Sequence, residues 1–158
     1  MKKINFLIKL RRKKTIQIAD PSDEIKDSYL EKSESNLLSS KILLENNQLE
    51  ESIALTYYSM YHTLTALLFK VGIKCENHAA SIIILKELFE IENEDISNAK
   101  EERVDKQYAV GFSITKEDVE TAIKSAEEFN SKIQDFISRL TYSDLKEYKQ
   151  KFEKISID

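Results

Sequence analysis

The sequence predicts an all-α protein built from long helices. Only two Gly and one Pro interrupt its 158 residues, so few turns are available for a many-stranded sheet. Apolar side chains also recur at helical spacing through several long segments. Hydrophobic residues make up 41% of the chain and charged residues 33%, a composition typical of one folded domain with a real core.

The composition also excludes several classes of site. Gly72 and Gly111 stand alone, so neither a glycine-rich phosphate loop nor a dinucleotide fingerprint can form. A single cysteine, Cys75, permits no internal disulfide and no CxxC metal pair, which favours a reducing, cytoplasmic setting without a metal or cofactor. No apolar run approaches the roughly 18 residues that span a bilayer, so we expect no membrane partner.

Charge is distributed unevenly along the chain. Residues 1–14 hold seven basic side chains and no acidic one, while the rest holds 17 basic against 28 acidic residues, a formal charge of −11. We interpret residues 1–20 as a basic N-terminal arm and residues 21–158 as one helical domain. Two interpretations of the arm stay open: it binds a polyanion, or it folds onto the acidic surface of its own domain.

The first helix of the domain is predicted over residues 24–45. The segment Asp20–Asp23 contains Pro21 and acidic residues, which are typical of a helix start. Asn46 and Asn47 end this helix.

The second helix is predicted over residues 48–71 and is apolar on two faces. Tyr57, Met60 and Leu64 share one face, whereas Tyr58 and His62 lie nearly opposite. Such a helix is either central to the bundle or serves both the core and a dimer interface.

Further helices follow in order. Gly72 is expected to end the second helix in the left-handed conformation, and Asn77 to cap a third. Residues 91–110 are acidic and predict one or two short helices. Thr115 begins a capping box for a long helix that reaches about residue 140, and a short C-terminal helix is predicted over residues 143–154.

One ordered set of motifs resembles the HEPN superfamily over roughly residues 24–140. It combines the segment Tyr57-Tyr58-Ser59-Met60-Tyr61-His62 with Lys74 and His78, and then Arg103-Val-Asp-Lys-Gln-Tyr108. The resemblance implies an up-down bundle of four to five main helices, usually a homodimer. It also implies a minimal nucleotidyltransferase as a possible partner and RNA or a nucleotide as a possible ligand.

Some members of this superfamily are toxins that cut RNA without a metal. Their active site contains an Arg and a His that are separated by four to six residues, often with a Tyr two residues after the His. Here Arg103 matches the Arg, but Tyr108 stands in place of the His and Val110 in place of the Tyr. A tyrosine, with a pKa of about 10, is a poor base at neutral pH, whereas it stacks well on bases. Arg103 with Tyr108 is therefore interpreted as a binding pair.

The candidate catalytic residues are Arg103, Tyr108, His78 and His62, and the candidate RNA- or nucleotide-binding residues are Arg103, Tyr108, Lys74 and Lys106. Each has a structural alternative. Arg103 could form a surface ion pair with a neighbouring carboxylate, and Tyr108 could close the end of the bundle. His62 is expected to be a satisfied interior or interface residue, and His78 to have a capping or solvent role.

Two clusters are given structural interpretations. The tyrosines of the second helix are expected to pack in the core or an interface rather than to stack on bases. The acidic residues from Glu87 to Asp95 are expected to be solvated rather than to bind a metal ion.

Three functions follow as hypotheses. The first is an RNA- or nucleotide-binding module with weak or no catalysis, acting with a nucleotidyltransferase in a toxin–antitoxin-like system. The second is an active metal-independent ribonuclease toxin that uses Arg103 with His78 or His62. The third is a structural helical dimer that sequesters another protein.

Overall fold

The computed structural model describes residues 1–108 and 113–157, except for the side chains of residues 104–108 and 156–157. Within this part of the chain, seven helices and two short strands follow one another, which confirms the predicted all-α class. The elements are α1 (Lys2–Arg12), β1 (Ile16–Ile18), α2 (Asp23–Glu45), α3 (Leu49–Val71), β2 (Ile73–Cys75), α4 (His78–Phe89), α5 (Glu94–Tyr108), α6 (Lys116–Arg139) and α7 (Tyr142–Ile157).

Helices α2 and α3 form an antiparallel hairpin, because only three residues connect them. The side chain of Ser22 caps α2 by accepting a hydrogen bond from the amide of Ile25. A buried polar seam joins the two helices. The Ser33 hydroxyl donates to the carbonyl oxygen of Ser59 (2.7 Å), and the Ser40 hydroxyl donates to that of Ser52 (3.0 Å). These bonds set the register of the hairpin.

Helix α3 is the central helix of the bundle, as one of the two predicted alternatives requires. It packs against α2, α4, α5, α6 and α7. Tyr57, Met60 and Leu64 are fully buried on one face, and Ala66 is fully buried on the other. Because α3 is enclosed on several sides, its partly exposed residues Tyr58 and His62 mark where the bundle opens to solvent.

A two-stranded antiparallel ribbon, which was not predicted from the sequence, is formed by β1, before α2, and β2, directly after α3. Ile16 pairs with Cys75 and Ile18 with Ile73, so the chain before α2 is joined to the chain before α4. Gly72 ends α3 with a positive φ of 92°, as predicted. A Cβ atom there would lie 2.5 Å from the carbonyl oxygen of Ala19, so only glycine allows the ribbon to approach the helix end.

The predicted N-terminal arm contains a helix and a strand that pack on the bundle. Leu7, Ile8 and Ile16 are buried, and α1 lies against α7 and α4. The domain boundary at residues 20 and 21 stays a prediction.

The starts of α4 and α6 also confirm the sequence predictions. The Asn77 side chain caps α4 by accepting from the amide of Ala80, and Thr115 and Asp118 form the capping box of α6. No helix within the described part of the chain combines the length and apolarity needed to cross a membrane.

Candidate functional site

The candidate site is built on a row of aromatic side chains along α3. Residues four apart on a helix lie one above the other, so Tyr57 faces Tyr61 and Tyr58 faces His62. The ring centroids of these pairs lie 6.2 Å and 6.3 Å apart. Tyr57 and Tyr61 are buried, which confirms their predicted packing role, whereas Tyr58 is only half-buried. Tyr58 and His62 therefore present an aromatic surface at the edge of the core.

Arg103 reaches this surface from α5. Its Nη1 donates a hydrogen bond to the hydroxyl of Tyr58 (2.9 Å). Its guanidinium carbon lies 5.2 Å and 5.3 Å from the ring centroids of Tyr57 and Tyr58, close enough for cation–π attraction of about 0.5–2 kcal/mol each. Among the described residues, Arg103 is therefore held by aromatic side chains and forms no ion pair with a carboxylate.

One donor of Arg103 is not used by these contacts. Its Nε is buried and has no hydrogen-bond partner among the described residues. A buried donor without a partner is costly, by about 1–3 kcal/mol. The guanidinium is thus oriented by its tyrosine contacts, and its Nε has no acceptor among the described residues.

His78 joins the same cluster from the first residue of α4. Its ring stacks on Tyr61 with a centroid distance of 3.7 Å, and its Nδ1 lies 2.8 Å from the hydroxyl oxygen of Tyr57. Burial, followed by the positive charges of Arg103 and Lys100, lowers the pKa of His78 from its ordinary value of 6.5. Its imidazole is therefore neutral near pH 7.

The bond to Tyr57 favours one tautomer of His78. Tyr57 is fully buried. Among the described residues, the hydrogen-bond partner of its hydroxyl group is Nδ1 of His78. A buried hydroxyl group whose proton has no acceptor costs free energy, so the Tyr57 hydroxyl donates its proton to a hydrogen bond with Nδ1. The ring proton then resides on Nε2. In this tautomer His78 offers a hydrogen-bond donor rather than a free base.

His62 lies one turn from Tyr58 and is half-buried, as expected for a satisfied interior residue. The side-chain amide of Asn36 donates a hydrogen bond to its Nδ1 (2.9 Å), and the Tyr29 ring lies 5.8 Å from its ring. Burial, followed by the charges of Lys32 and His78, lowers the pKa of His62 to about 4. His62 is therefore uncharged at neutral pH and is held in place by α2.

A cleft of about 230 Å³ lies beside His62, between α2, α3 and the ribbon. Tyr29 and Phe69, which stack at 5.6 Å, line it together with Lys32 and Lys74. Lys74 forms an ion pair of 3.0 Å with Glu76, and nearly half of the Lys74 side chain is exposed. The predicted binding residue Lys74 thus shares one cleft with the predicted catalytic residue His62.

Two predicted residues cannot be placed in this geometry. Tyr108 and Lys106 belong to the last turns of α5, but their side chains lie outside the described part of the chain. Val110 also falls outside it. Their contacts with RNA or a nucleotide stay predictions.

Two acidic residues of the segment before α5 form ion pairs with other helices. Glu90 pairs with Lys151 of α7, and Glu92 pairs with Lys86 of α4. Among the described residues, no group of three or more His, Cys, Asp or Glu side chains has a geometry that could hold a metal ion.

Two partners in this site were not predicted from the sequence: Tyr58 for Arg103 and Asn36 for His62. The four-residue spacing of Tyr58 and His62 was a usable signal, because it places both on one helix face. Asn36 could be found only by pairing α2 with α3 in the antiparallel register of their serine seam.

Comparison with known proteins assigns the family. UPF0332 protein PH1297 of Pyrococcus horikoshii is 38% identical over 63 residues, which cover 40% of this chain. The matched stretch spans 44% of that protein, less than half of its length. The sequence model of the HEPN domain matches residues 27–136, most of the chain, which include α3, α4 and α5 in full and most of α2 and α6. The chain therefore belongs to the HEPN domain family.

Proposed function

We propose that this HEPN-domain chain is an RNA- or nucleotide-binding module with weak or no catalysis. The observation that carries the proposal is the arrangement of Arg103: its guanidinium lies against Tyr57 and Tyr58, and its buried Nε lacks a partner among the described residues. A planar guanidinium binds phosphate oxygens through a fixed set of donors. Its orientation by two rings lowers the entropy lost on binding.

The neighbouring groups suit the other parts of a nucleotide. Partly exposed aromatic rings, such as those of Tyr58 and His62, can stack on bases, an interaction worth about 1–3 kcal/mol per base. Nε2 of His78 supplies a further donor for an anion. Lys32 and Lys74 add positive charge at the cleft beside His62. Aromatic and cationic groups therefore alternate along one edge of α3, as in sites that bind single-stranded nucleic acid.

The protonation states favour binding over strong catalysis. RNA cleavage without a metal requires a base for the 2′-hydroxyl, and such a base works best with a pKa near the working pH. The pKa of His62 is about 4, the pKa of His78 is also lowered, and burial raises the pKa of Tyr57. Tyr108 occupies the position of the nuclease His in the sequence motif. None of these groups is well matched to proton abstraction at neutral pH.

Fluorescence anisotropy with a short labelled RNA, and separately with labelled ATP, tests the binding proposal. Arg103→Ala is expected to weaken binding of at least one of them by about tenfold, the loss typical of a charge-assisted hydrogen bond. Arg139→Ala is the matched control, because Arg139 is exposed on α6 and pairs only with Asp135 among the described residues. If the wild-type chain binds neither ligand, or if both variants bind equally well, the proposal fails.

The family membership also motivates a proposed setting. We propose that the chain forms a homodimer in the cytoplasm and acts with a minimal nucleotidyltransferase in a toxin–antitoxin-like system. Size-exclusion chromatography with light scattering would test the homodimer with the chain alone, and the second assembly after mixing with a purified minimal nucleotidyltransferase. A monomer that does not associate with that protein at micromolar concentrations would contradict this setting.

The ribonuclease alternative has one supporting observation. Arg103 and His78 both contact Tyr57, so an arginine and a histidine meet in one protomer despite the missing motif His. This alternative predicts growth arrest when the chain is expressed, with relief by Arg103→Ala. Equal growth with wild type and variant would eliminate it.

A further inference from the structure

Helix α1 and the two residues after it carry a group of cations that the candidate site does not include. Six basic side chains in residues 1–14 are exposed, and no ion pair of these six occurs in the part of the chain that the structure describes. They are Lys2, Lys3, Lys9, Arg12, Lys13 and Lys14. Residues 15–158, which follow them, carry a formal charge of −11. The uncompensated positive charge is therefore concentrated on one small element.

The orientation of α1 directs these cations outward. At 100° per residue, Lys2, Lys9, Arg12 and Lys13 fall within an arc of about 100°. The opposite side carries Leu7, which is buried against the bundle. Lys9, Arg12 and Lys13 line one surface groove of about 320 Å³.

The packing of α1 argues against a membrane as the partner. A basic amphipathic helix binds a bilayer by inserting its apolar face between the lipids. In α1 that face is already occupied, because Leu7 and Ile8 are buried and Arg11 lies 5.8 Å from the ring centroid of Phe152 in α7. The surface that remains is cationic, and it suits a partner that offers phosphates without acyl chains.

The ribbon links α1 to the candidate site. The carbonyl oxygen of Thr15 accepts a hydrogen bond of 3.1 Å from the amide of Glu76. Lys14 immediately precedes Thr15, and His78 lies two residues after Glu76. The basic C-terminal end of α1 is thus joined by backbone hydrogen bonds to the segment that begins α4.

We propose that the cationic face of α1 binds the phosphate backbone of the RNA whose bases contact the aromatic edge of α3. This inference rests on the proposed RNA-binding function and extends it to a second contact surface. An RNA strand that crosses the His78 end of the bundle would meet Lys14 and Lys13 next, and then Arg12 and Lys9 of α1. The acidic remainder of the domain would repel the strand and so restrict its path.

The salt dependence of RNA binding tests this inference. Each phosphate contact to a single strand contributes about 0.7 to the slope of log K against log salt concentration. The variant Lys9→Gln/Arg12→Gln/Lys13→Gln should therefore lower the slope by about 2 if all three side chains contact phosphate. The control Lys124→Gln/Lys132→Gln/Lys154→Gln removes three exposed cations from α6 and α7 and should keep the wild-type slope. Circular dichroism would establish that both variants are folded.

The outcomes separate this inference from the function on which it rests. A lower slope for the α1 variant alone supports the inference. Equal slopes for all three proteins, with RNA binding still reduced by Arg103→Ala, overturn it and leave the proposed function intact. No RNA binding by the wild type overturns both. Binding of phosphatidylserine vesicles that depends on the α1 cations, with unchanged RNA slopes, would identify α1 as a membrane contact and also overturn it.

Discussion

The Tyr58 hydroxyl oxygen lies 2.9 Å from Nη1 of Arg103, so α3 and α5 are joined by a hydrogen bond at the edge of the core. The same guanidinium lies over the rings of Tyr57 and Tyr58. Tyr58 thereby both orients the cation and presents an aromatic surface beside it. The proposed function depends on this pairing more than on any other contact.

A graded pair of substitutions separates these two roles of Tyr58. Tyr58→Phe removes the hydroxyl that orients Arg103 but keeps the ring, so the affinity for RNA should fall by about fivefold, the value of one ordinary hydrogen bond. Tyr58→Leu also removes the stacking surface and should cost about a further tenfold. Anisotropy titrations with labelled RNA measure both. Equal affinities of Tyr58→Phe and Tyr58→Leu would show that the ring does not contact a base.

The His78 tautomer is a direct test of the Tyr57 contact. In the wild type at neutral pH, the ring proton should reside on Nε2, because Nδ1 accepts from the Tyr57 hydroxyl. Tyr57→Phe removes that donor and should shift the ring toward a mixture of tautomers. Long-range nitrogen–proton NMR spectra of the imidazoles report the difference. His62 serves as the internal reference, since its Asn36 contact is unchanged. A wild-type His78 protonated on Nδ1 would contradict the assignment.

The free energy of unfolding should fall as the pH is lowered below about 6.5, because the unfolded chain protonates its histidines more readily than the folded chain does. The unfolded chain takes up a proton on His62 near its ordinary pKa of 6.5, whereas the folded chain does so only near the lowered pKa of about 4. Between these values the unfolded state binds more protons, so folding loses free energy as the pH falls. Above pH 6.5, His62 is mainly neutral in both the folded and the unfolded chain, so its full contribution to the stability of the folded state is present.

Thermal unfolding of wild type and His62→Gln between about pH 7 and pH 5 measures this effect, above the range in which most carboxylates titrate. The midpoint of the wild type should fall more steeply with decreasing pH than that of the variant. Parallel pH profiles would mean that His62 is solvated and that its pKa is not lowered.

The buried polar seam between α2, α3 and α6 should be important for stability. The Ser59 hydroxyl donates to the carbonyl oxygen of Ser33 (2.8 Å) and accepts from the side-chain amide of Asn130 (2.9 Å). Ser59→Ala leaves both partners buried without this contact and should lower the free energy of unfolding by about 2 kcal/mol or more. Urea denaturation measures the loss. Ser28→Ala, at an exposed position of α2, should change stability by less than about 0.5 kcal/mol.

Much of the helical fold could be predicted because local signals mark its ends. The two asparagines after Glu45, the isolated Gly72 and the Thr115 capping box all act within a few residues of a helix end, and each works as expected. The ribbon could not be predicted in this way. Its strands have three residues each, too few to show an alternating pattern, and Ile16 pairs with Cys75, far away in the sequence.

The candidate site was predictable only in its parts. Arg103, His62 and His78 stand out as residue types and motif positions. Their meeting depends on how α4 and α5 pack against α3, and long-range packing leaves no local pattern in one sequence. The lowered pKa values are consequences of that packing, since burial is the largest cause for both histidines. The contacts of Tyr108 with RNA or a nucleotide remain a prediction.

The most direct test is to incubate labelled mixed-sequence RNA with wild type and Arg103→Ala in EDTA, and to measure both binding and strand integrity. The account predicts that the wild type binds about tenfold more tightly than the variant and that the RNA remains intact with both. Cleavage by the wild type and not by Arg103→Ala would contradict it. That result would make Arg103 part of a metal-independent nuclease centre, with a histidine from another position in place of the missing one.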